Sequence, residues 1–264
     1  MGGLEVIDRG FAVIHERALA VLRGDERVAS VSVGGSVGAG TADEWSDLDL
    51  QVVAHPDGYD DLLADWPTWL AAITPTVFAR TPILPFVINT VTNEGLTLDI
   101  TVFKGEAFEV PPATGHAVGM LSGVRFAELG PALDYAVVEQ LRGMAGPFVS
   151  LVQREEHLRH LTGVPHLLGL LTTVFLAELD APPMGKHWNR TLTPEQRGAV
   201  AALPPVRATR EDIVAFGLGL AELLVTRARP LYPRYGLEWP TDLATVTATR
   251  LRDCLDIDAS RWLH

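Results

Sequence analysis

Apolar residues recur every three or four positions at Val6, Ile7, Phe11, Ile14, Ala18 and Leu22, and Gly24-Asp25 closes the run. That spacing predicts an amphipathic helix over 4–23. The period then drops to two. A strand is predicted over 28–33, followed by the turn Gly34-Gly35-Ser36 and a short helical turn through Gly38 and Gly40. A second strand follows, in which Leu48, Leu50 and Val52 alternate with Asp47 and Asp49. Side chains alternate across a strand, so the two carboxylates share one face and the three apolar residues the other.

His55-Pro56-Asp57-Gly58 is turn chemistry, and 59–73 reads as helix, with Pro67 placed to start a second segment or kink the first. An extended run, Phe86 to Val91, leads through Asn93-Glu94-Gly95 into Leu96 to Val102, which alternates with Asp99 on its polar side. Asn-x-Gly between two alternating runs predicts a hairpin, leaving the acids of the second and third strands on adjacent strands. Residues 105–115, with Pro111, Pro112 and Gly115, read as a linker, and beyond about 131 the strand signals stop. Helices are predicted at 131–143, 147–162, 165–179, 194–203, 209–229 and 241–255, with Thr193 and Thr209 as N-caps. The fold class expected is α+β. A mixed β-sheet flanked by helices occupies 1–112 and an all-helical bundle 113–264.

Composition narrows the function classes. With 264 residues, 47% hydrophobic and 20% charged, the chain has a globular balance and length for two cores. A formal net charge of −12 argues against general nucleic-acid binding, which needs a basic face to neutralise phosphates, and suits a cationic small substrate. The single cysteine, Cys254, excludes an intrachain disulfide and reads as a packed thiol on a helix face. The N-terminus lacks the apolar run of a signal peptide, and no run reaches the ~18 apolar residues of a membrane span. A cytoplasmic protein without membrane contact is expected, as a monomer or homodimer.

Two carboxylates held side by side repel unless a proton or cation sits between them, and Mg²⁺ suits such hard oxygen donors. Gly34 and Gly35 allow close approach of the backbone to a ligand, and Ser36 adds a hydroxyl beside exposed N–H groups. Opposite paired aspartates, that turn is what holding a nucleoside triphosphate and its metal requires. The glycines from 34 to 40 only superficially echo a dinucleotide fingerprint, since no full helix fits before the acidic strand. Ser46 either meets phosphate or caps its own turn. His157, His160 and His166 have helical spacing but no nearby acid of fitting geometry, so they read as ordinary histidines rather than a metal site.

Gly35-Ser36, a ten-residue gap and Asp47-Leu48-Asp49, followed by Asp99 on a later strand, resemble the signature of the DNA polymerase beta-like nucleotidyltransferase superfamily. Within it the small lincosamide and aminoglycoside nucleotidyltransferases look most similar, over roughly the first 105 residues. The resemblance implies that Asp47, Asp49 and Asp99 are catalytic and bind two Mg²⁺ ions, with Asp99 a metal ligand, a general base or both. It further implies that Gly35, Ser36 and Ser46 bind nucleotide, joined by Lys186 or Arg190 from the helical half. The expected activity is Mg²⁺-dependent transfer of a nucleoside monophosphate, AMP from ATP, to a hydroxyl of a small molecule such as an aminoglycoside or lincosamide-like antibiotic, with resistance as the consequence. A protein-adenylylating antitoxin and an inactive nucleotide sensor are the alternatives.

Overall fold

The computed structural model describes residues 9–81, 86–105, 128–181 and 187–263. The chain divides into two compact units, 1–116 and 117–264. Residues 4–8 of the first predicted helix, most of the predicted linker, and Lys186 lie outside the described residues.

In the first unit α1 (Arg9–Arg23) precedes β1 (Val28–Val33), a four-residue turn of helix α2 (Gly35–Gly38) and β2 (Leu48–Ala54). Then come α3 (Tyr59–Ala64), α4 (Trp66–Ile73), β3 (Thr76–Arg80), β4 (Val87–Thr92) and β5 (Thr97–Lys104). The strands form one mixed sheet in the order β1-β2-β5-β4-β3. β2 and β5 run parallel, and the other neighbours are antiparallel. The alternation read in β2 and β5 sets which face of this sheet is buried. Leu48, Leu50, Val52, Leu98, Ile100 and Val102 are all buried, beneath Phe11, Ile14, Ala18 and Leu22 of α1 and Trp69, Leu70 and Ile73 of α4. Each such side chain removed from water stabilises the fold by roughly 1.5–3 kcal/mol. Pro67 sits in the first turn of α4, where its missing N–H has no intrahelical acceptor to lose.

β4 and β5 form the predicted hairpin, turning at Gly95 with φ +81°. Strand β3 is absent from the sequence reading. It is a five-residue edge strand between prolines, half-buried at every position, so it carries no alternation to detect.

The described part of the second unit is helical throughout: α5 (Leu129–Gly143), α6 (Val149–Gln153), α7 (His157–Glu178), α8 (Trp188–Thr191), α9 (Pro194–Ala201), α10 (Arg210–Ala228) and α11 (Thr241–Leu255). A π-turn, Met144–Phe148, joins α5 to α6. Leu133, Val137 and Leu141 of α5, Val174 and Phe175 of α7, Leu220 and Leu224 of α10, and Leu251 of α11 build its core. Thr193 and Thr209 cap their helices as predicted, the first in a reciprocal box with Gln196.

The predicted break at Pro165 is wrong. Pro165 lies inside the 22-residue α7, and the break falls instead at Glu155, φ +56°, where Glu156 N–H donates to the Leu151 carbonyl at 3.0 Å. A left-handed residue closing a helix this way stops it more firmly than one missing proline N–H. By length and composition α7 is also long and apolar enough to cross a bilayer, which the sequence reading did not see. Here its apolar residues pack against α5 and α10. Cys254 is half-buried rather than enclosed.

Candidate functional site

The acids stand on the face of the sheet opposite α1 and α4. β2 and β5 pair Leu48 with Leu98, Asp49 with Asp99 and Leu50 with Ile100. Opposed residues point the same way, so burial of Leu48 and Leu50 forces Asp49 and Asp99 out together on the other face. Asp47 immediately precedes β2 and is exposed.

The turn before them is held against this pair. Gly34 N–H donates to the Asp49 carbonyl at 2.9 Å, continuing the β1 ladder one residue past the strand. Gly35 then takes φ +53°, and a Cβ there would lie 1.7 Å from Asp49 Oδ2. Two separate requirements, a left-handed backbone and a carboxylate in contact, thus fall on one residue, and only glycine meets both. At Gly38 a Cβ would come 2.5 Å from the Val33 carbonyl oxygen, so α2 is folded tightly back on β1. The first N–H groups of any helix have no intrahelical acceptor, which leaves the Gly35-Ser36 end of α2 with donors to offer.

Electrostatics follows from this packing. Burial first, and then the negative charges of Asp47 and Asp99, push the Asp49 carboxyl up to about 7. Among the described residues no Lys, Arg or His forms an ion pair with Asp47 or Asp49. Nor is any group of three His, Cys, Asp or Glu close enough to hold a metal ion, these aspartates included. The structure thus shows Asp49 beside Asp99, with Asp47 within electrostatic reach, and not a closed three-carboxylate cage.

Ser46 is 3% exposed, and its hydroxyl donates to Asp43 Oδ1 at 3.0 Å and accepts from Asp43 N–H at 3.0 Å. These two bonds close its own loop. Arg190 is an exposed residue of α8, in the other unit. The three histidines gather no metal cluster: His160 is buried edge-on to Phe148, with ring centres 5.9 Å apart.

Two residues that the sequence reading passed over extend the acidic row. Asn89 of β4 pairs with Asp99, and Arg80 of β3 pairs with Asn89, so Asp49, Asp99, Asn89 and Arg80 cross four strands on one face. Once the hairpin is recognised, counting back from Asp99 across the turn finds Asn89. Arg80 is reachable only through the edge strand that left no pattern.

The sequence matches no protein-family model and no curated protein. In structure the chain is similar to an aminoglycoside 6-adenyltransferase from Bacillus subtilis, at 13% identity over 90% of this chain and 95% of that one, with a TM-score of 0.36. It is also similar to the CdnE cyclic dinucleotide synthase of Elizabethkingia meningoseptica, solved with GTP and Apcpp, at 15% identity over 80% of this chain and 89% of that one, with a TM-score of 0.30.

Proposed function

We propose that the protein is a nucleotidyltransferase that moves a nucleoside monophosphate, AMP from ATP in the first instance, onto a hydroxyl of a small molecule. The observation that carries this reading is the juxtaposition of Asp49 and Asp99 across β2 and β5, with Gly35 closed onto the Asp49 carboxylate. Hard carboxylate oxygens, of which the Asp49 carboxyl is pushed up by burial and by the charges of Asp47 and Asp99, fit a divalent cation such as Mg²⁺, with Asp47 and Asp49 as first ligands and Asp99 adjoining. When bound, the metal supplies charge neutralisation on the phosphates, the main catalytic demand of phosphoryl chemistry.

The chain's own residues do the rest. The backbone of Gly35 and Ser36 and the Ser36 hydroxyl grip the outer phosphates. Asp99 takes the proton of the acceptor hydroxyl as its oxygen bonds to the α-phosphorus, the bond from that phosphorus to the bridging oxygen breaks, and pyrophosphate leaves. Asp49 must ionise to ligate, and its carboxyl, held near 7, sheds its proton readily in the neutral range. With a net charge of −12, the chain favours cationic acceptors, of which an aminoglycoside-type antibiotic is one.

The test is transfer of label from [α-³²P]ATP, with Mg²⁺, to a panel of hydroxylated cationic antibiotics. Labelled product from the native protein and none from Asp47→Ala is expected. Transfer that persists in Asp47→Ala overturns the assignment.

A further inference from the structure

The helical unit contains a cavity lined by none of the residues assigned above to nucleotidyl transfer. It lies between the C-terminal end of α5, the π-turn and the first half of α7, and has a volume of about 260 Å³. Its wall is largely apolar, with Met144, Phe148, Leu151 and Leu167 contributing. Gly143 and Gly163 also line it, and a Cβ added to either would meet no heavy atom within 4 Å.

Polar groups are set into this apolar wall, and three of their atoms are buried without a hydrogen-bond partner: Gln140 Oε1, His160 Nε2 and Arg142 Nε. Gln140 is 1% exposed and His160 5%. Solvent therefore does not serve them, and buried polar groups are ordinarily satisfied. Arg142 reaches one carboxylate, Glu139, only at the long distance of 3.5 Å. Arg159 adds a second guanidinium at the exposed margin, with no ion pair among the described residues. Burial lowers the pKa of both His160 and His166, so these imidazoles are uncharged at neutral pH. Two guanidiniums against one carboxylate leave the lining with an excess positive charge. The π-turn that widens the helix here holds Pro147 and places Phe148 against His160, and such widened turns occur frequently at functional sites.

We propose that this cavity binds a small monocarboxylate with an apolar or aromatic body, at a site separate from the acidic row of the sheet. The carboxylate accepts from the Arg142 and Arg159 guanidiniums and from the His160 imidazole N–H, and the body fills the space beside Met144 and Leu167. A cationic acceptor of the kind suggested for the catalytic site is repelled here. The site therefore stands or falls independently of that reading.

The full chain is titrated by calorimetry and ligand-observed NMR with phenylacetate, phenylacetamide and phenethylamine. Saturable binding of phenylacetate is expected, with the amide weaker by about tenfold, the usual advantage of a charge-assisted hydrogen bond, and no binding of the amine. Gly163→Leu should abolish phenylacetate binding while the fold is kept, because leucine has room to enter the cavity and suits a helix better than glycine. Arg159→Gln should weaken binding several-fold and Arg159→Lys should restore most of it. The proposal is overturned if phenylacetate, benzoate and 3-phenylpropionate all fail to bind, if the amine binds as well as the acid, or if folded Gly163→Leu binds phenylacetate unchanged.

Discussion

The first unit contains two clusters of aspartates that differ in how their charge is met. Around Arg27, Asp25 accepts from the guanidinium at 2.7 Å and Asp65 at 3.1 Å. Hydrogen bonds to that guanidinium hold the Asp25 carboxyl below the usual carboxylate range. On β2, Asp49 makes no ion pair among the described residues, and its carboxyl moves the opposite way, up to about 7. One cluster is neutralised by the chain itself and is a structural clasp between the start of β1 and the α3–α4 junction. In the other, Asp49 makes no ion pair among the described residues, as suits a carboxylate whose partner charge comes from a ligand.

The strongest way to break this contrast is to remove one acid from each cluster. Asp49→Asn should lower kcat for label transfer by at least about 10³-fold, because it deletes a donor needed in the transition state. Asp25→Asn should leave kcat unchanged, and steady-state kinetics on both variants decides between them.

Next in size is Gly35→Ala. The added Cβ meets the Asp49 carboxylate and the alanine must hold φ +53°, so a loss of roughly 2–4 kcal/mol is expected in urea unfolding. Activity should fall with it even where the protein remains folded.

The third test uses pH. Asp49 holds its proton more tightly folded than unfolded, where the carboxyl returns to its ordinary value of 3.8. Its contribution to stability is therefore present below about 4 and lost as pH rises through about 7 in the absence of divalent cations. Asp25 works the other way: it adds stability above its ordinary value, lost as pH falls through its lowered folded value. Metal-free Asp49→Asn should thus be more stable than the native chain at pH 8, by on the order of 1–3 kcal/mol at ~1.4 kcal/mol per pKa unit, and equal to it near pH 4. Mg²⁺ should raise the native Tm at pH 8 and leave that of Asp49→Asn nearly unchanged. Equal Tm values at pH 8 without metal would remove the electrostatic contrast.

Smallest is Arg27→Met, which removes the clasp from a half-exposed position. A drop of a few degrees in Tm with unchanged kcat is expected, measured by thermal melts and label transfer.

Legibility in the sequence tracked how local the determining physics is. The period of two in β2 and β5 is set by which side chains leave water, so Asp49 and Asp99 could be placed on a polar face, and Thr193 and Thr209 read as caps, before any coordinates. β3 escaped because an edge strand buries neither face fully. Pro165 misled because one absent donor costs less than what the packing of the rest of α7 gains.

By itself the sequence determined the faces of β2 and β5 and the caps Thr193 and Thr209, since each depends on residues a few positions apart. Only the tertiary structure decided that β2 lies parallel to β5 in the register that sets Asp49 beside Asp99, that Arg80 continues their row, and that α5, the π-turn and α7 line a cavity. Those are meetings between residues tens of positions apart, fixed by how faces pack, and no local pattern records them.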